Sequence, residues 1–205
     1  RSANSALEIA TLDDLSKIGV LTPHLMANAA AAVAMARSYG IDPADVRAAL
    51  LDFRLDAHRI ELVAEQDGIR WIDDSKATNP HAAAASLNSF EKVIWVVGGL
   101  LKGVDLNDLV KKFADRLSAA IVIGVDRSHV VEVLSAQIPN LPVVEISAAD
   151  NTDVMPQVVE AASKFTEAGS VVLLAPAAAS MDQFKDYADR GNQFAEAVRA
   201  HLETA

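Results

Sequence analysis

The chain has 205 residues, 51% of them hydrophobic, and 28 acidic against 18 basic side chains give a formal net charge of −10. This length and apolar content allow one sizeable core plus a smaller piece and exclude a disordered chain, while the acidic balance argues against nucleic acid or an anionic membrane surface as partner. The absence of cysteine excludes disulfides, thiol nucleophiles and Cys-ligated zinc and suits the cytoplasm.

No apolar run reaches the roughly 20 residues of a membrane span; the longest, "ANAAAAVAMA" from residue 27, is about half of that. The opening "RSANSALEIATLDD" has neither an initiator Met nor a signal-peptide pattern. It reads as the middle of a longer chain, a fragment or a processed product. Its two apolar runs, "ALEIATL" and "IGVL", are expected as short strands. A helix pair is predicted over residues 24–53. Its first member is alanine-rich and stops at Gly40; its second starts with Asp42 as cap and Pro43 at the first helical position.

The rhythm changes near His58, which is the expected domain boundary, dividing residues 1–57 from 58–205. "RIELVAEQDGIRWID" gives two strands split at Asp67-Gly68, and Asn79-Pro80 opens a helix. Then "KVIWVVGG", "AAIVIGV", "LPVVEIS" and "SVVLLAPA" read as buried strands, alternating with helices at "DLNDLVKKFADRL", "DRSHVVEVLSAQI" and "TDVMPQVVEAASKFTEAG". A last helix runs from Gln183 or Arg190 to the end. Strand and helix alternation predicts an α/β fold, a Rossmann-like, mostly parallel sheet with helices on both faces. The first strands are expected parallel, with an antiparallel strand possible.

In such sheets ligands bind beyond the carboxyl ends of the strands. Four strand ends carry polar or glycine-rich stretches: residues 73–79 ("DDSKATN"), 98–103 ("GGLLKG"), 125–127 ("VDR") and 177–183 ("AAASMDQ"). Glycines allow close backbone approach, lysines offer a compact charge for phosphate or carboxylate, and the helix opening at Asn79-Pro80 turns free N–H groups towards the same edge. Each feature alone also fits a solvated loop, a cap or a plain turn; it is their convergence on one edge that points to a site. Neither G-x-x-x-x-G-K-[ST] nor G-x-G-x-x-G occurs, and the histidines show no metal spacing, so no metal site is expected from this chain.

"HRIELVAEQDGIRWIDDSKATNPHAAAASL", "VVGGLLKGVDLNDL" and "VVLLAPAAASMDQFKDYADRGNQF" resemble the cytoplasmic Mur ligases, in particular the branch that adds D-glutamate. "PHLMANAAAAVAMARSYGI" resembles the end of that family's central ATPase domain. The resemblance runs from about residue 20 to the end, and "DDSKATN" with S-x-D-Q-F is its specific part. It implies that residues 1–57 are the tail of the ATP-binding domain and 58–205 the amino-acid-binding domain. It also implies ATP-dependent ligation of D-glutamate to UDP-N-acetylmuramoyl-L-alanine through an acyl phosphate, in peptidoglycan precursor synthesis. ATP and Mg2+ would be required, the partners would be those small molecules, and the enzyme would be a cytoplasmic monomer.

Carried over from the resemblance, Asn28, Arg59 and Asp74 would contact the nucleotide. Lys76 would act near the phosphates and the reacting centre. Thr78, Lys102, Ser180 and Tyr187 would hold D-glutamate, Tyr187 standing where phenylalanine is common. Leu25 replaces an asparagine of many relatives beside His24, which puts adenine recognition in doubt; Ala178 replaces a cysteine. The P-loop, the magnesium-binding acid and a carbamylated lysine would all lie upstream, so this chain alone is expected to be inactive. The alternatives are a folylpolyglutamate-type ligase domain and a non-catalytic nucleotide or amino-acid binding domain.

Overall fold

The computed structural model describes residues 7–147 and 153–204. It divides into two compact units, Arg1–Asp56 and Ala57–Ala205. No helix among the described residues is long and apolar enough to cross a membrane.

The first unit holds α1 (Leu12–Ser16), α2 (Pro23–Ser38) and α3 (Pro43–Asp52). The expected strands at "ALEIATL" and "IGVL" are not there in the described part of these runs; a helical turn, α1, lies between them instead. Thr11 and Asp14 form a reciprocal cap, Asp14 N–H donating to Thr11 Oγ1 (3.1 Å) and Thr11 N–H to Asp14 Oδ2 (3.0 Å). That local chemistry satisfies the first N–H groups of a helix and outcompetes a strand that has no neighbour to pair with. The predicted helix pair is present. Asp42 caps α3 with Pro43 at its first position, and Gly40 follows α2 at φ +81°, where a side chain would be strained. Leu15, Ile18 and Leu25 form the small core of this unit.

The second unit carries β1 (Glu61–Gln66), β2 (Ile69–Asp73), α4 (Pro80–Leu87), β3 (Val93–Gly98), α5 (Asn107–Phe113), β4 (Leu117–Ile123), α6 (Ser128–Gln137), β5 (Val143–Glu145), α7 (Val154–Ser163), β6 (Val171–Leu174) and α8 (Tyr187–Thr204). The strands form one sheet in the order β1-β2-β6-β3-β4-β5. The expectation of parallel first strands needs correction: β1 is the antiparallel strand, hairpinned to β2 through Asp67-Gly68, and every later pairing is parallel. A two-residue turn with both members at positive φ (+53° and +75°) permits only a hairpin. The start of the expected "TDVMPQVVE" helix lies outside the described residues.

From β2 to β5 the chain moves across the sheet in one direction, skipping one place; the β5-α7-β6 connection returns to fill it. Right-handed crossovers running in opposite directions put their helices on opposite faces. Accordingly α7 and α8 cover one face through Val158, Phe194 and Val198 against Trp71, Ile94 and Ile121. The alternate residues Ile72, Trp95, Val97 and Val122 are equally buried on the face left for α4, α5 and α6. Both faces are therefore dry, and ligands can reach the sheet only at its edge.

Candidate active site

The carboxyl ends of β2, β6, β3 and β4 lie on that edge, and backbone hydrogen bonds join the loops that follow them. Asp74 N–H donates to Leu174 O (2.8 Å), Ala177 N–H to Ala77 O (2.9 Å) and Gly98 N–H to Pro176 O (2.9 Å), while Leu100 and Ala179 exchange a pair (2.9 and 3.2 Å). Glycine makes this meeting possible. A Cβ on Gly98 would come 2.2 Å from Ile123 O, and one on Gly99 2.4 Å from Ala179 O, at φ +114° and +123°. The loops carrying Thr78, Ser180 and Lys102 are thus held side by side by main chain.

Lys76 is half-buried; its N–H donates to His58 O (3.2 Å) and its ammonium stands 5.4 Å from the centre of the Tyr187 ring. Tyr187 opens α8, and its carbonyl accepts from Ser75 Oγ (2.7 Å). Thr78 is half-buried just before Asn79, whose side chain caps α4 by accepting from Ala82 N–H (3.0 Å). Ser180 is buried. Lys102 is exposed at φ +55° and lines a cavity of about 600 Å³ together with Leu100, Val125, His129 and Asp182. Thr78, Ser180 and Tyr187 are not among the residues that line that cavity.

Asp74 is turned inwards. Its Oδ2 accepts from Ser86 Oγ of α4 and its Oδ1 from Ile60 N–H (3.4 Å). Burial pushes its carboxyl up to about 6, against the lowering effect of Ser86 and Ile60. Arg59 is exposed on the turn before β1. It stands between His58 and Ile60, which both have left-handed φ (+62° and +47°). For a β-branched residue such as Ile60 that conformation is an outlier, and outliers of this kind cost about 1–3 kcal/mol each. Asn28 belongs to the first unit, where it is exposed on α2 beside the apolar groove between α2 and α3.

Beneath the loops lies a polar layer that sequence reasoning did not assign. Arg190 is fully buried on α8. Its Nε donates to Ser75 Oγ (2.9 Å), its Nη2 to Ser75 O (2.8 Å) and its Nη1 to Ala178 O (3.2 Å). Desolvation lowers the guanidinium to about 10, against the pull of Asp182 and Asp73, so it stays charged at neutral pH. One side chain thereby braces the loops after β2 and β6. Beside it His58 Nδ1 and Asp73 Oδ2 are 2.6 Å apart, and burial raises the Asp73 carboxyl although His58 opposes the shift. The available signal was the spacing of Arg190 three residues after Tyr187, one turn along the helix that presents the aromatic ring.

A mostly parallel α/β unit thus brings the loops of Lys76, Thr78, Lys102 and Ser180 to the strand-end edge of its sheet, the place where open α/β sheets bind ligands. Residues 58–178 match the family model described as "Mur ligase, glutamate ligase domain". The chain is 54% identical over 199 residues to UDP-N-acetylmuramoylalanine--D-glutamate ligase of Leifsonia xyli subsp. xyli, covering 97% of this chain and 38% of that protein. It is 48% identical to the protein of the same name from Thermobifida fusca, covering 95% and 41%. Among solved structures, UDP-N-acetylmuramate-alanine ligase MurC from Thermotoga maritima superposes with a TM-score of 0.60 at 19% identity (89% of this chain, 39% of that one). MurF from Acinetobacter baumannii gives 0.56 at 19% (89% and 38%). The chain belongs to the Mur ligase family. It spans about two fifths of the length of the curated relatives it matches.

Proposed function

We propose that the chain is the C-terminal part of an ATP-dependent ligase that joins D-glutamate to UDP-N-acetylmuramoyl-L-alanine in peptidoglycan precursor synthesis, in the cytoplasm and as a monomer. The observation that carries this reading is the main-chain joining of the Thr78, Lys102 and Ser180 loops, in a chain 54% identical to a protein of that name. Residues 1–57 are then the tail of the ATP-binding domain and residues 58–205 the amino-acid domain.

In the reaction, ATP phosphorylates the UDP-linked carboxylate, the D-glutamate amine attacks the acyl phosphate, and phosphate leaves. Lys76 supplies positive charge near the moving phosphoryl group, where preorganised charge lowers the barrier without reorganisation. Thr78, Lys102, Ser180 and the Tyr187 main chain orient D-glutamate so that its amine meets the acyl carbon. Arg59 and Asn28 serve the nucleotide, and Asp74 serves it by holding the Ile60 N–H of the turn beside Arg59. ATP brings Mg2+, which neutralises phosphate charge. Among the described residues the one group with metal-ligand spacing is His58, Glu61 and Asp73. His58 Nδ1 and Asp73 Oδ2 share a hydrogen bond of 2.6 Å, and magnesium prefers carboxylate and water oxygens to imidazole, so this group is a poor fit for the ion.

The test is phosphate release by the intact enzyme. Turnover should require ATP, Mg2+, UDP-N-acetylmuramoyl-L-alanine and D-glutamate together. Turnover with another amino acid in place of D-glutamate, or binding without turnover, would overturn the reading.

A further inference from the structure

We propose that Asp73 and His58 are positioning residues that hold the turn presenting Arg59 to the nucleotide phosphates and lock that turn to Lys76; the proposal rests on the ligase reading above. Arg59 is exposed between two residues in left-handed conformations. Such a backbone persists only where its surroundings over-determine it, and here they do. His58 N–H donates to Glu61 Oε2 (2.9 Å), Ile60 N–H to Asp74 Oδ1 (3.4 Å), and the Ile60 side chain is buried. The His58 imidazole is anchored by Asp73 Oδ2 and lies T-shaped to the Tyr187 ring, with centroids 6.2 Å apart.

Asp73 faces both ways. Its Oδ1 accepts from Ser75 N–H (2.8 Å), so one carboxyl joins the turn to the loop that carries Lys76. The His58 carbonyl closes the circuit by accepting from Lys76 N–H (3.2 Å). Gly191 of α8 seals the pair: a Cβ there would sit 2.3 Å from His58 Nδ1 and 2.6 Å from Asp73 Oδ2. Asp73 is 1% exposed, so it cannot itself touch a ligand at the surface. It acts through backbone: a displaced turn would move Arg59 and Lys76 together, the one on the nucleotide side and the other at the reacting centre.

Two measurements test this. In the intact ligase, D73A should raise the KM for ATP at least tenfold while the KM for D-glutamate stays within about threefold. D73N should restore ATP use to within about threefold of the parent. Its amide oxygen can accept from Ser75 N–H while its N–H donates to Nδ1 of the other His58 tautomer. In the 205-residue chain, hydrogen exchange at the Ile60 and Lys76 amides should speed up at least tenfold in D73A and remain near the parent rate in D73N. If D73A does not fold, H58F, which keeps a ring but loses Nδ1, carries the same expectations. Unchanged ATP KM in D73A, equal rises in both KM values, or a D73N as damaged as D73A would each overturn the proposal. A parent enzyme that makes no D-glutamate-dependent product would sink the ligase reading instead, and the exchange rates would still decide whether the clamp exists.

Discussion

Replacing Asp74 with asparagine should stabilise the second unit at alkaline pH and destabilise it slightly in acid. The Asp74 carboxyl is raised from 3.8 to about 6, chiefly by burial. A raised carboxyl means that the native state holds its proton more tightly than the unfolded chain. Stability is then fully present below the unfolded value of 3.8 and is lost as pH rises through about 6. A shift of about two units at 1.36 kcal/mol per unit gives a loss of roughly 3 kcal/mol, complete by about pH 7 to 8. D74N cannot ionise and escapes the loss. Its hydrogen bonds can be kept: the new amide N–H donates to Ser86 Oγ, the Ser86 hydroxyl turns to donate to Ala82 O (3.2 Å), and the amide oxygen accepts from Ile60 N–H. Allowing about 1 kcal/mol for imperfect geometry at every pH, the variant should gain about 2 kcal/mol at pH 8 and lose up to about 1 kcal/mol near pH 4. Urea unfolding followed by tryptophan fluorescence isolates the right unit, because both tryptophans, Trp71 and Trp95, lie in its sheet. Asp73 also has a raised carboxyl, and its charge is one of the smaller causes that raise Asp74, so D74N relieves that repulsion too, in the same direction. A difference that stays flat from pH 4 to 8, or a D74N that is less stable at pH 8, would refute the reasoning.

Three further substitutions probe the site and its support. In the intact ligase K102A should raise the KM for D-glutamate about 10- to 100-fold, the loss of one charge-assisted contact, with the ATP KM within about threefold; equal damage to both would remove Lys102 from the amino-acid site. R190M strips the donors from Ser75 O and Ala178 O and should cost about 3–5 kcal/mol in urea unfolding; a cost below about 1 kcal/mol would mean that the buried guanidinium braces nothing. G191A should lower Tm by several degrees, because a Cβ only 2.3 Å from His58 Nδ1 overpacks the helix by about 1–3 kcal/mol. A rise in Tm, as helix propensity alone would give, would contradict that close approach.

The frame of the second unit was readable because its signals are local. Apolar runs of strand length, helix caps such as Asn79-Pro80 and the turn at Asp67-Gly68 each specify an element from a few adjacent residues. The strands expected near residues 6–22 failed for the same reason in reverse. Their apolar runs were visible, but Thr11 and Asp14 close a cap that a hydrophobic pattern does not weigh. The strand order, with β6 inserted between β2 and β3, depends on contacts across a hundred residues and leaves no mark on any short stretch.

The same division separates the site residues carried on loops from those beneath them. Lys76, Thr78, Lys102 and Ser180 stand in short loops between recognisable strands and helices, and the convergence of those loops on one sheet edge suggests anion binding. Arg190 and Asp73 sit in the interior, where an isolated charge is unfavourable. From sequence each reads most simply as a solvated side chain on a helix or at a strand end. Only the fold shows that Arg190 spends its donors on the main chain of two loops and that Asp73 anchors a turn fifteen residues earlier in the chain. A loop that must present a charge at a fixed place needs such a buried partner, because its own short backbone cannot hold a strained turn like the one around Arg59. The loop residues proposed to touch ligand therefore leave a mark in sequence, while the buried residues proposed to position them become visible only once helix α8 is packed against the ends of β2 and β6.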